Sequence, residues 1–400
     1  MNILLNKIDN SLNKKLDNSL NSNNKYGKLI NMENKKSNKP RYTIFNFNAA
    51  YEPPTNKYNV GKGYVEWGDK NLYPNYLIDL YNYKGSTTHQ ATIDRKVGII
   101  SGRGFEPIKD MSLLKLVKRT KLSRQVKQAT LDYELINGFA FEVIWANDGE
   151  SIASIKSIQR HKVREGIESK DVDYPHYVYS KDWSQYRKEG YEPEIIRKWN
   201  PLIRQGKQIY VYDEYNPGMD VYPIANYSNS FNYIELDHEI SKFHLNQVKQ
   251  GYSPSFILNF ATGIPTEEEM DEFNTHFERN YAGSENAGKI IITYSEGADQ
   301  QPKLEAIQLN DSDERFAMLI DQIETQIIRG SRVPPQLLLL VAGSLGGVGE
   351  RDELLEEFQI DYVTPRQETI EEVLNEILLE GGYTEELKLK KYEITKKELK

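Results

Sequence analysis

Cysteine is absent from the 400 residues, and histidine is scarce at six. Without thiols there can be no disulfide, no thiolate metal site and no thiol nucleophile, and the chain suits a reducing compartment. Long apolar runs are missing as well. None nears the roughly 18 residues of a membrane helix, and the opening Met1-Asn-Ile-Leu-Leu-Asn-Lys lacks the unbroken apolar stretch of a signal peptide. The expectation is a soluble chain that is not exported and meets no membrane. Basic charge is in deficit too: 51 Lys and Arg stand against 59 Asp and Glu, a formal −8. Such a balance argues against gripping nucleic acid by its phosphates. It is compatible with a passage whose fixed negative charge lets a duplex slide without ion pairs.

Aromatic rings are plentiful, with 27 tyrosines and 13 phenylalanines, and large half-apolar rings suit interfaces between copies. The length exceeds the roughly 250 to 300 residues at which single cores stop growing, so two or three domains are expected.

Residues 1–60 are polar. Eleven of the first forty are Asn and eight are Lys, against three acidic residues. A segment with so little to bury cannot offset its ordering entropy and reads as a disordered basic arm. Helical periodicity then runs from Tyr73 to Gly104 in two segments, and from Met111 to Asn137 with Gly138 as the stop. Strand patterns follow at Phe139–Ala146, Ser151–Ile158, Lys162–Ile167, Tyr174–Tyr179 and Gln208–Tyr215, with turns at Asn147-Asp-Gly149 and Asn216-Pro-Gly218. A helix of roughly 40 Å is predicted over Ile224–Gln250. A strand–helix–strand unit occupies Ser255–Phe260, Thr266–Asn280 and Lys289–Tyr294, with Thr266 and Glu269 as a capping box. Asp311–Arg329 reads as a helix closed by Gly330. The fold class is α+β.

The bland readings prevail over most apparent motifs. Gly283-Ser-Glu-Asn-Ala-Gly288-Lys289 has phosphate-loop spacing, but Ile290 stands where Ser or Thr must hold the metal, and the motif leads into a strand. His238 and His244 are six apart, on roughly opposite sides of a helix, so they do not pair as metal ligands. Asp311 and Asp313 suit a helix N-terminus. No catalytic residue, metal or cofactor is expected.

The stretch from Gly330 to Glu380 is the most informative. It joins Gly330-Ser-Arg-Val-Pro334-Pro335-Gln336, a leucine run, the loop Gly343-Ser344-Leu345-Gly346-Gly347-Val348-Gly349, and a helical segment that Pro365 should kink. Between Arg351 and Glu380 ten acidic residues face two basic ones. Leu354, Leu355, Phe358, Ile370, Val373, Leu374, Ile377 and Leu378 supply an apolar seam. The acidic face reads either as solvated or as turned toward a channel, with Glu353, Glu356, Glu357, Glu372 and Glu376 the candidates. The glycine loop is either an ordinary flexible connector or the part that touches DNA.

This order of Arg-Val-Pro-Pro-Gln-Leu, a Gly-Gly-x-Gly loop and an acidic helix resembles the C-terminal third of tailed-bacteriophage portal proteins, particularly the PBSX-type branch. Trp67-Gly-Asp-Lys-Asn-Leu-Tyr-Pro74 and Tyr233-Ile-Glu-Leu-Asp-His-Glu-Ile-Ser-Lys-Phe-His244 are similar to the same branch. The resemblance implies a portal-like ring subunit: a wing at 61–222, a first stem helix at 223–250, a clip at 251–309 and a second stem helix at 310–331. A Pro-Pro segment with a tunnel loop at 332–350 follows, then a long acidic helix at 351–380 and a short crown remnant at 381–400. It implies a dodecameric homo-oligomer at one capsid vertex of a virion, assembled in the host cytoplasm. Double-stranded DNA would pass through without sequence recognition. The implied partners are the terminase large subunit, a neck or adaptor protein, the major capsid protein and scaffold. The rival readings are a nucleic-acid-processing enzyme and a DNA-binding adaptor using the basic arm.

Overall fold

Two local devices set the first helices. Leu72 precedes α1 (Tyr73–Asn82), whose Pro74 stands in the first turn, where a missing N–H costs nothing. Ser86 caps α2 (Thr87–Ile100) by accepting from the His89 N–H at 3.1 Å. Upstream, the hairpin of β1 (Asn56–Asn59) and β2 (Tyr64–Trp67) was not predicted from the sequence. The computed structural model describes residues 56–59, 63–68, 72–83, 86–169, 172–249, 256–260, 266, 290–294, 312–338 and 348–391, all in the unit that runs from 53 to 400. The basic arm, the capping-box helix and the phosphate-loop look-alike lie outside the described residues, apart from β1, Thr266 and Ile290.

The single helix expected over 111–137 is two helices. Asp110 caps α3 (Met111–Thr120) through the N–H groups of Ser112 and Leu113. Lys121, in the left-handed region at φ 52°, then turns the chain into α4 (Leu122–Ile136). The break lets Leu113, Leu116 and Val117 share one core with Leu122, Val126 and Ala129. The left-handed stop of α4 is Asn137 at φ 70°, not Gly138. Gly138 serves closeness instead: a Cβ there would lie 2.1 Å from Asp213 Oδ1 and 2.8 Å from the Tyr212 carbonyl oxygen.

A six-stranded sheet follows, built from β3 (Gly138–Trp145), β4 (Ile152–Ile158), β5 (Val163–Glu165), β6 (His176–Tyr179), β7 (Glu194–Lys198) and β8 (Lys207–Asp213). The order is β4-β3-β8-β7-β6-β5, antiparallel except between β7 and β8. β7 was not predicted, because Glu194-Ile-Ile-Arg-Lys lacks strict alternation. Both predicted turns are present, with Gly149 and Gly218 at φ 71° and 84°. Alternation along β3 sends Phe139, Phe141, Val143 and Trp145 to the larger core and Ala140 to the opposite face with Ile196 and Ile209.

α5 (Phe231–Lys249) is shorter than predicted, 19 residues or about 28 Å, because residues 224–230 form turns. β9 (Phe256–Phe260) and β10 (Ile290–Tyr294) pair in parallel, as a strand–helix–strand unit requires. α6 (Ser312–Ser331) runs through Gly330 and stops at Arg332, φ 60°. Gly330 therefore does not end the helix. It admits Ser230, whose Oγ would lie 1.8 Å from a Cβ at that position and which donates to the Gln326 carbonyl. The start of α5 thus meets the end of α6, setting the two antiparallel.

The long acidic helix is present as α7 (Val348–Phe358), a π-helical turn at Gln359–Val363, and α8 (Thr364–Glu380). Pro365 supplies no N–H and its ring crowds the carbonyl of Asp361, so the turn before it widens. The predicted seam is buried at Leu355, Phe358, Ile370, Val373, Leu374, Ile377 and Leu378. Residues after Gly381 fold back as well. Leu387 and Leu389 are buried, Asn375 bonds both the N–H and the carbonyl of Leu387, and Phe105 bridges Leu389. One core therefore unites α3, α4, β3 and β4 with both C-terminal helices. A second joins β2, α1, α2, α5 and α6.

Between the cores and the sheet sits a stack of cations and rings. Trp67, fully buried, lies 4.4 Å from the Tyr222 ring in a parallel stack, with the Arg160 guanidinium 4.8 Å from its centroid. Arg160 also binds Asp213 through two hydrogen bonds, of 2.7 and 2.5 Å. Its backbone N–H donates to Asp132 at 2.7 Å. Burial pushes the Asp132 carboxyl up to about 7, against the pull of the Arg160 N–H and guanidinium. A carboxyl raised on folding stabilises fully below its unfolded value of 3.8, and that contribution is lost as pH rises toward 7. Asp132→Asn keeps an acceptor for the Arg160 N–H. We expect the variant to gain on the wild type steadily from pH 4 to pH 7, by at most about 4 kcal/mol, in urea titrations at stepped pH. A constant difference across that range would refute the assignment.

Candidate functional site

α5 and α6 present apolar side chains outward. Leu236, Phe243 and Leu245 on α5 are 39%, 46% and 52% exposed, and Met318 and Ile320 on α6 are 71% and 37% exposed. The inner sides of the same helices are satisfied: Ile234, Ile323 and Ile327 are buried, and Tyr233, Ile240 and Leu319 pack against them. Leu236 and Phe243, seven residues apart, form one partly exposed apolar stripe beside the packed side of α5, and such a stripe suits a neighbour. His238 and His244, both half-buried, are positions on α5. Among the described residues no group of His, Cys, Asp and Glu is placed to hold a metal ion, and no helix is long and apolar enough to cross a membrane.

Beyond α6 the chain is anchored before the glycine-rich segment. Val333 is buried, Pro335–Leu338 makes a 3-10 turn, and Leu337 is buried with it. Gly343, Ser344, Leu345, Gly346 and Gly347 lie outside the described residues. Val348 and Gly349 belong to the first turn of α7, which shortens the predicted loop at its far end. A helix start needs no cap glycine, so the sequence carried no mark of that boundary.

Arg332, Val333, Pro334 and Pro335 form one wall of a cleft of about 1160 Å³ between α6 and α7, with Asp321, Glu324 and Arg329 on α6 and Glu357 and Asp361 opposite. Glu353, Glu356 and Glu357 are exposed on α7, and Glu372 and Glu376 are exposed on α8. The five candidate acids therefore form two groups, one on each side of the π turn. Glu357 lines the cleft, whereas Glu376 accepts the Tyr210 hydroxyl of β8 at 2.7 Å. Glu380, also on α8, pairs with Arg204 at 3.2 Å.

An ionic cluster at the π turn has almost no local signature. Lys96 Nζ lies 2.5 Å from Glu134, with both side chains at most 2% exposed. Tyr362 donates to Glu134 at 2.8 Å and receives from Lys96 at 3.2 Å. Arg366, 4.1 Å from the Tyr133 ring centroid, reaches Glu214 at 3.2 Å, and Tyr133 donates to the same carboxylate at 2.6 Å. Burial works to lower the Lys96 ammonium, but the Glu134 carboxylate and Tyr362 outweigh it and raise it. This cluster ties α7 and α8 to α2 and α4. Its one signal in the sequence was Lys96 standing within the apolar spacing of Ile93, Val97 and Ile100.

The described residues form a packed α+β body, a helix pair packed on it and an acidic C-terminal helix. Solved particle proteins share this fold. One chain of a virion of a native gene transfer agent particle is 14% identical, with a TM-score of 0.51, covering 80% of this chain and 83% of that one. A chain from the neck of the native particle computed with C12 symmetry matches equally, at 14% identity and TM-score 0.51 over 78% of this chain and 82% of that one. The probable portal protein of Haemophilus phage HP1 (strain HP1c1) is 24% identical over 200 residues, 47% of this chain; the match spans little more than half, 56%, of that relative's length. The family model for phage portal protein matches residues 106–396, and the chain belongs to that family.

Proposed function

We propose that this chain is the repeating subunit of a ring at one vertex of a phage-type particle, through which double-stranded DNA passes on packaging and ejection. The observation that carries this reading is the α5–α6 pair, whose inner side is packed while the Leu236–Phe243 stripe of α5 and Met318 of α6 keep much of their apolar surface exposed. A ring closes such faces by heterologous contact, each subunit covering the next. Twelve subunits are the number suggested by the C12 symmetry stated for the related gene transfer agent neck. On this reading the sheet and its helices are the wing, α5 and α6 the stem, the β9–β10 unit the clip, the segment before Val348 the tunnel loop, and α7 to α8 the long acidic helix.

The ring would hold no catalytic centre. Terminase, as the ATP-driven partner, and a neck protein would dock on the clip, while capsid protein and scaffold would surround the wing. The chain's net charge of −8, repeated around a bore, offers phosphates no ion pairs, so DNA would slide rather than stick. The purified protein should therefore appear as a ring with a central hole in negative-stain images. Because the helix begins at Val348, the loop is tested by deleting only Gly343–Gly347. We expect rings of normal mass and heads that fail to fill or to retain DNA; normally filled heads would refute the loop's role, and a monomeric wild-type protein at high concentration would refute the ring.

A further inference from the structure

In a chain with an acidic excess, one surface is strongly basic. From Met111 to Leu131 there are six cations and no carboxylate: Lys115, Lys118 and Arg119 on α3, Lys121 at the elbow, and Arg124 and Lys127 on α4. All six are exposed, and none forms an ion pair among the described residues. Arg119 alone has a side-chain bond, to the Ile152 carbonyl at 3.2 Å. The flanking acids in sequence, Asp110 and Asp132, and Glu385, which is bonded to the residues before α3, are engaged elsewhere. Asp110 caps α3, Glu385 takes the N–H groups of Lys109 and Asp110, and Asp132 accepts from the Arg160 N–H.

Folding does not account for the arrangement. Lys118 and Arg119 do suit the C-terminal turn of α3. Lys121 and Arg124, however, stand at the cap and in the first turn of α4, which holds no acidic residue, and there the helix dipole disfavours cations; Lys127 follows in the second turn. Like charges three and four residues apart on a helix repel as well. The composition of the surface also separates two kinds of anionic partner. Leu113, Leu116, Val117, Leu122 and Val126 are buried in the core; of the large apolar residues from Met111 to Leu131, Met111 at the start of α3 is exposed and Leu114 and Leu131 are half-buried, so none is exposed near the elbow itself. A protein interface needs such an anchor at its centre. Among the uncharged polar residues between the cations, Ser123 and Gln128 are exposed, types used with Lys and Arg to bind phosphate oxygens, whereas Ser112 and Gln125 are bonded to Asp110 and to the Ser157 N–H.

We propose that the α3–α4 elbow is a binding surface for the phosphate backbone of duplex DNA. It is made of residues other than those of the acidic long helix, with which α3 and α4 share a core, and it reads no sequence. The inference does not rest on the channel reading, because it concerns a different surface of the chain.

The test uses the full-length chain with Lys115, Lys118, Arg124 and Lys127 all replaced by Gln, beside a charge-preserving variant with Arg at the three lysines. Binding to a mixed-sequence duplex of about 30 base pairs is followed by fluorescence anisotropy across NaCl concentrations, with ring mass measured in parallel. The wild type and the arginine variant should bind alike. The glutamine variant should bind roughly 10- to 100-fold more weakly at 100 mM salt. Its slope of log K against log salt should be flatter by up to about 3.6, since each of four neutralised phosphates accounts for about 0.9 of that slope. The N-terminal arm, unchanged in all three proteins, contributes equally to each. Equal affinity and slope in the glutamine variant would overturn the proposal. So would wild-type binding to polyglutamate but not to duplex, or a glutamine variant whose rings fall apart, since the surface would then serve a protein partner or a neighbouring copy.

Discussion

Leu236→Asp together with Phe243→Asp should yield a folded chain that no longer forms rings, read as a collapse to monomer mass in sedimentation velocity. Both residues lie on the outer face of α5 and are about two-fifths exposed in the single chain. Only the remaining exposed area is left for a neighbour to cover, so the hydrophobic loss is a fraction of the roughly 1.5 to 3 kcal/mol for each fully buried side chain. Burying an unpaired carboxylate at each interface adds several kcal/mol more. The combined cost per interface is about 3 to 6 kcal/mol, two to four orders of magnitude in each pairwise constant, repeated around the ring. Circular dichroism should stay unchanged, because Ile234, Tyr233 and Ile240 still hold α5 against its core. Leu202→Asp is the control. That residue is 91% exposed on a turn before β8 and should leave rings intact. Rings of unaltered mass in the double variant would remove the argument that the open face of the helix pair is the interface between copies.

The second large effect is expected at the π turn. Lys96→Met strips Glu134 of its nearest cation, leaving only the longer pair with Arg366 Nε at 3.9 Å, around a carboxylate at 1% exposure. Breaking a buried pair in this way typically costs about 3 to 5 kcal/mol. The double variant Lys96→Met with Glu134→Gln should recover much of that, because no uncompensated charge remains. The comparison is best made by denaturant unfolding in the monomeric Leu236→Asp, Phe243→Asp background, where assembly does not mask it. The sign of the pH response follows from the raised ammonium. Its contribution is fully present below the ordinary lysine value of 10.5 and fades only as pH climbs above it. The gap between wild type and Lys96→Met should therefore stay flat from pH 6 to pH 9. A cost under about 1 kcal/mol would mean that water reaches the pair.

Local chemistry was legible where it is self-contained. The Asn147-Asp-Gly149 and Asn216-Pro-Gly218 turns, the period-2 runs that became β3, β4 and β8, and the apolar seam of α8 all state their structure through neighbours a few residues away. The glycines misled, because two of them act through residues distant in the chain. Gly138 is small for the sake of Asp213 and Gly330 for the sake of Ser230, whereas the helix stops fell to Asn137 and Arg332. The acidic candidates were visible as a composition but not as a grouping. That the π turn separates Glu353, Glu356 and Glu357 from Glu372 and Glu376 depends on how Pro365 is accommodated. That Glu376 meets Tyr210 depends on where α8 lies on the sheet.

Composition and pattern alone established an α+β chain of several parts with no thiol chemistry, an acidic balance, and three ordered segments resembling portal proteins. These properties follow from residue counts and short-range spacing, which hold whatever the chain's path. Long-range packing settled the rest. It drew residues 348–391 into the same core as 99–155, buried Lys96 beside Glu134 from another helix, and left Leu236, Phe243, Met318 and Ile320 facing outward. It also left the cations of α3, the elbow and α4 exposed. Such outcomes belong to close packing between elements far apart in sequence, where each side chain's surroundings are set by partners that no local spacing records.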